Sequence, residues 1–199
     1  GDGVAVLVGG SPVFCGVMPL IELGIFASVK AAGGNVTGIY SDGLYGGTAT
    51  YEGINNGEMQ FGDNSAGMYG VNGARLLNTG NITVGNESLG ISAKGSSYLR
   101  NTGTIQTGSD PVGMSAENVA LTENTGSISA AGENITGLLS KNTGTSVITN
   151  NGTIELAGKN TIGVYLETGG QQTFTNNQLI KTENSDNLSI ASTGIYNNG

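Results

Sequence analysis

A five-residue phrase, Asn-[Asn/Thr]-Gly-x-[Ile/Met], starts at Asn55, Asn78, Asn101, Asn124 and Asn150, at intervals of 23, 23, 23 and 26 residues. A degraded copy, NNQLI, starts at Asn176, and NNG at Asn197 reads as the opening of another. A second phrase, glycine before an apolar residue, keeps step with the first: Gly38-Ile39, Gly67-Met68, Gly90-Ile91, Gly113-Met114, Gly137-Leu138 and Gly163-Val164. Thr193-Gly194-Ile195-Tyr196 copies Thr37-Gly38-Ile39-Tyr40 letter for letter. A unit this short cannot bury an apolar face alone, so equivalent residues of successive units must stack.

Each unit reads as three short strands separated by turns: Gly90-Ile91-Ser92-Ala93, then Ser97-Tyr98-Leu99, then Thr104-Ile105-Gln106-Thr107. Twenty-three residues are too few for a strand-helix-strand crossover, and no helical period of 3.6 appears. The pattern predicts an all-β right-handed parallel β-helix (β-solenoid) with about 23–26 residues and three strands per circuit. Circuits would lie about 4.8 Å apart, with hydrogen bonds along the axis.

Three apolar columns follow from that stacking. One runs Ile39, Met68, Ile91, Met114, Leu138, Val164; a second runs Met59, Ile82, Ile105, Ile128, Ile154, Ile180. The third, Leu76, Leu99, Thr122, Ile148, Phe174, has one polar exception. The asparagines Asn55, Asn78, Asn101, Asn124, Asn150 and Asn176 form a corner column. Asparagine tolerates the left-handed backbone expected at a corner, and its amide both donates and accepts along a stack. The glycine two residues later is expected to permit the turn into the third strand.

Composition excludes several functions. Seven Lys and Arg against 15 Asp and Glu give a net charge of −8, which speaks against nucleic acid and anionic membranes as partners. The absence of His removes the commonest general base and metal ligand, and a lone Cys15 allows no internal disulfide. Residues 1–32 are apolar and do not show the phrases; Pro12, Pro19 and several glycines make them a capping circuit or buried strands (VAVLV, GIFASV) rather than a membrane span. The repeats occupy 33–199 as a single elongated domain.

Three sets of side chains are candidates for contact. The last four of Asp42, Val71, Lys94, Glu117, Lys141 and Glu167 alternate in sign, and Arg100 and Glu123 form a similar pair; this reads as a solvated ladder fixing register or as a recognition stripe. Asp63, Glu87, Asp110 and Glu133 each stand three or four residues before a repeat glycine, an acidic file that invites Ca²⁺ if it does not simply splay into water. Tyr40, Tyr69, Tyr165 and Tyr196 fall two residues past the glycine and point outward, where they suit a sugar ring or a protein. The acids repeat with the circuits as surface decoration does, and no long insertion builds a cleft, so the chain does not read as an enzyme. A β-helical polysaccharide-degrading enzyme is the alternative.

Circuits of this type, acidic, rich in Gly, Asn and Thr and almost free of Cys, resemble the passenger domains of large Gram-negative autotransporter adhesins, in particular giant fusobacterial-type outer-membrane adhesins. The likeness covers about residues 33–199, and filamentous-haemagglutinin-like exoproteins carry similar circuits. The resemblance implies a type V secreted virulence factor displayed at the cell surface and anchored in the outer membrane by a C-terminal β-barrel, this segment lying outside the membrane. It also implies cell adhesion through a host-cell or bacterial surface protein or glycan. No cofactor is implied.

Overall fold

The computed structural model describes residues 3–8, 23–25, 28–43, 53–95, 98–167, 169–183 and 192–198, all without helix. Their 22 strands form three parallel sheets of eight, seven and seven strands. Within each sheet every strand pairs with its equivalent one circuit away. One circuit is Val112–Glu117 in the first sheet, Leu121–Asn124 in the second and Ser127–Glu133 in the third. The chain is a right-handed parallel β-helix of about six turns.

The predicted columns meet in register. Ile39, Met68, Ile91, Met114, Leu138 and Val164 pair in sequence, as do Met59, Ile82, Ile105, Ile128, Ile154 and Ile180. Leu76, Leu99, Thr122, Ile148 and Phe174 make the third file. Except near the C-terminal end these side chains are fully shielded from solvent. Each buried aliphatic contributes about 1.5–3 kcal/mol, and the stack repeats that gain at every step.

Thr122 is buried in this file with no partner for its hydroxyl. Removing an unsatisfied buried hydroxyl recovers its desolvation cost, and a β-branched replacement keeps the strand preference. Thr122→Val is therefore expected to stabilise by about 1 kcal/mol, read as a higher midpoint in thermal melts.

Asn55, Asn78, Asn101, Asn124 and Asn150 are fully buried, and each Nδ2 donates to the Oδ1 of the next asparagine at 2.7–2.8 Å, ending on Asn176. Asn78 and Asn101 also donate to the carbonyls of Gly80 and Gly103. The expected left-handed backbone is not found there: each of these residues ends a strand of the second sheet, with φ negative. Positive φ falls instead at the corner between the third and first sheets, at Asn35, Asn64, Glu87, Asp110, Asn134 and Asn160, and between the first and second sheets at Asn72 and Asn118. An inward-pointing amide needs an extended backbone, whereas the sharp reversal needs the left-handed one. The two jobs go to different columns.

The glycine of the phrase also differs from expectation. Gly103 has no positive φ; a Cβ there would stand 2.0 Å from the carbonyl oxygen of Gly80. Close approach of stacked backbones, not turn geometry, requires it. Gly90 is constrained similarly, since its Cβ would meet Gly113 O and Ile105 Cγ2 at 2.4 Å.

One expectation about the ends changes. Asn197 pairs with Leu166 in the first sheet, so NNG there does not continue the asparagine ladder. At the other end, Gly3–Val8, Leu23–Ile25 and Ser28–Ala31 each take a place in one of the three sheets, with Ile25 paired to Asn55 at the ladder position. Residues 9–22 with Cys15, and Phe26 and Ala27 of the expected GIFASV strand, lie outside the described residues.

The three extra residues of the 26-residue circuits divide between two corners. One falls beside Gly132 and Gly158, whose φ values are 143° and 139°; two lie between the first and second sheets. At the latter corner Asn142 Nδ2 donates to Ser140 Oγ at 2.7 Å, Ser140 Oγ donates to Gln172 Oε1 at 2.7 Å, and Asn142 Oδ1 accepts from Val119 N. The longer corner is thus built around a buried polar knot.

Candidate functional site

The outward face of the first sheet carries the alternating charges. Asp42, Val71, Lys94, Glu117, Lys141 and Glu167 lie in one register file. Lys94 pairs with Glu117 at 3.1 Å and Lys141 with Glu167 at 2.8 Å, while on the second sheet Arg100 meets Glu123 at 3.0 Å. Opposite charges about 5 Å apart on neighbouring strands satisfy one another along the axis. The Glu167 carboxylate, by hydrogen bond and charge, holds the Lys141 ammonium above its ordinary pKa. A raised pKa means that its small stabilising contribution is complete below the ordinary lysine range and disappears as pH rises through the raised value. Lys141→Ala is expected to move the melting midpoint by no more than about 2 °C, because exposed pairs contribute little.

Glu58 shows the opposite sign. Hydrogen bonds from Lys30 and Ser28 hold its carboxyl below the usual carboxylate value. That contribution is present above the ordinary glutamate range and fades as pH falls through the lowered value.

The four acids do not form one file. Glu87 and Asp110 occupy the left-handed column, but Asp63 and Glu133 stand one position earlier, in the file Asp63, Asn86, Ser109, Glu133, Lys159. Asp63 Oδ1 accepts from Asn86 N at 2.6 Å, Asp110 Oδ1 accepts from Asn134 Nδ2 at 2.7 Å, and Glu133 lies 3.7 Å from Lys159. A one-residue offset separates neighbouring columns. Counting three or four residues back from a glycine merged two of them. Among the described residues no three acids, histidines or cysteines gather closely enough to hold an ion.

The tyrosines share one outward file, Tyr40, Tyr69, Ser92, Ser115, Leu139, Tyr165, Tyr196. They resolve into two pairs. Tyr40 and Tyr69 stack with centroids 6.0 Å apart, and Tyr165 meets Tyr196 edge-on at 5.2 Å. Burial, with the nearby charge of Asp42, pushes the Tyr40 phenol above its ordinary pKa, so it stays neutral. Only Tyr196 of the four is strongly exposed, at 44%. Packing between circuits therefore occupies much of the Tyr40, Tyr69 and Tyr165 rings.

The sequence reading missed an open depression of about 260 Å³ on the third sheet, where Gln106, Ser129, Glu155 and Lys181 rise beside a floor that includes Ala131 and Ala157. The signal was present in two small residues within third-sheet strands, but only the register, which pairs Ala131 with Ala157, shows that they adjoin. Comparison with protein families, characterised proteins and solved structures finds no match. No helix among the described residues is long and apolar enough to cross a membrane.

Proposed function

We propose that this chain is a length of shaft in a cell-surface adhesin, exported by an autotransporter route and held outside the cell by a β-barrel elsewhere in the whole protein. It carries no catalytic step in this reading. The observation behind the proposal is that outward charges are answered by the adjacent circuit, Lys94 by Glu117, Arg100 by Glu123 and Lys141 by Glu167. A face whose charges are neutralised internally suits spacing better than selecting a partner. The residue pattern shared with large adhesin passengers supports the same reading.

Removing residues 101–123 from the parent protein excises one 23-residue period and brings Asn124 next to Asn78 in the ladder. Adhesion to host cells and partner bacteria is expected to persist within about twofold, with the melting midpoint of the segment changed by only a few degrees. The purified segment should not block that adhesion. Saturable blocking, lost in a Tyr165→Ala, Tyr196→Ala variant, would instead favour a recognition surface, the reading that the exposed Tyr196 ring supports.

A further inference from the structure

The outward face of the third sheet leaves its polar groups unspent. Next to core Ile82, Ile105, Ile128 and Ile154, the strands turn Asn81, Thr104, Ser127 and Thr153 outward in one register file. Thr83, Gln106 and Ser129 form a second file beside it. All seven are neutral and polar, and each is exposed or half-buried. None of them uses its side chain in a hydrogen bond to another described residue. Comparable groups elsewhere are taken up within the molecule. Lys94 answers Glu117 and Arg100 answers Glu123, while the corner hydroxyls of Thr79, Thr102 and Thr125 donate to the carbonyls of Asn55, Asn78 and Asn101.

We infer that this face binds an uncharged linear polysaccharide laid along the solenoid axis. An extended β-1,4-linked glycan carries hydroxyl groups on both edges of its ribbon, repeated with every sugar. That repeat is close to the circuit spacing of about 4.8 Å, so each sugar meets one circuit. Hydroxyl and amide side chains both donate and accept, as sugar hydroxyls do. Strands hold such groups in place before binding, which lowers the ordering cost. Both flanks are low. Ala131 and Ala157 adjoin on one side, and Gly103 and Gly126, without side chains, precede Thr104 and Ser127 on the other.

Other partners fit this face less well. The seven positions hold no aromatic ring, arginine or large aliphatic side chain, the groups that anchor protein interfaces. They hold no cation to attract a sulfate or uronate, and the chain's net charge of −8 opposes a polyanion. A second copy of the chain would bury these neutral groups against themselves with little apolar gain. A single hydrogen bond is worth only about two- to tenfold in affinity, so the face gains by repetition along the ligand. This inference goes beyond the shaft reading: it concerns what lies alongside the solenoid, and it holds whether or not the whole protein is an adhesin.

NMR titration of the purified chain with cellobiose, cellotriose, cellotetraose and cellohexaose tests it. The dissociation constant is expected to fall about two- to tenfold with each sugar up to the tetraose, which spans the circuits of Asn81, Thr104, Ser127 and Thr153, and little beyond. Cellotetraose should bind at about a millimolar, too weakly for one free segment to block adhesion. Backbone amides of residues 81–83, 104–106 and 127–129 should shift, and those around Tyr165 and Tyr196 should not. The variant T104A/Q106A/S127A/S129A is expected to bind at least about tenfold more weakly, its melting midpoint within a few degrees because all four side chains point outward. No measurable binding, an affinity that ignores ligand length, or full binding by the variant would each overturn the proposal. Equal binding of heparin oligosaccharides would overturn the preference for an uncharged chain. A dimer in sedimentation that the same variant abolishes would overturn it in favour of a second copy.

Discussion

Ile105→Asp is expected to abolish cooperative folding of the central circuits. Ile105 is completely shielded, lies between Ile82 and Ile128 in its file, and has its Cγ2 against the backbone of Gly90. The substitution removes a buried aliphatic, leaves a void and puts a carboxyl group where no described basic side chain lines the file. Cavity and burial costs together exceed about 5 kcal/mol, as much as many domains possess. Loss of the β-sheet circular dichroism transition, with new protease cleavage near residues 82–128, is the expected result. A melting curve like that of the parent would show that Ile105 does not face the core.

The second large effect belongs to the ladder. Asn101→Ala deprives Asn78 of its acceptor at 2.8 Å and Asn124 of its donor at 2.8 Å, both inside the molecule. Two stranded buried groups cost about 2–5 kcal/mol together. Asn176→Ala offers the internal comparison, since Asn176 is exposed, accepts from buried Asn150 and donates only to Gln178, so its loss strands one buried group in place of two. It should cost about half as much. Equal midpoint shifts for the two variants would show that the ladder contributes through turn preference alone and not through its hydrogen bonds.

The period made the fold legible because stacking forces every column to answer for its neighbours. Isoleucines 82, 105, 128, 154 and 180 can share a core only if successive circuits are parallel and in register. The corners were less legible. At Gly132 and Gly158 an added residue shifts everything after it by one place, and that shift put Glu133 beside Ser109 instead of beside Asp110. The first circuit was hidden for a related reason: it carries Ile25 where later circuits carry asparagine, so the guiding phrase is absent although strands form. Candidate contacts were legible only as residue types. That Tyr40 packs on Tyr69 and Tyr165 on Tyr196 depends on side-chain geometry that spacing does not encode.

Hydrogen bonds that run along the axis also decide how the molecule meets force. Tension applied between its two ends loads the bonds of one terminal coil at a time, like a zip, whereas bonds lying across the pull would share the load in shear. Each released coil of 23 residues pays out about 75–80 Å of chain. In the shaft we propose, lengthening under a surge would then come in steps of one coil, each able to rewind on the intact remainder as its template.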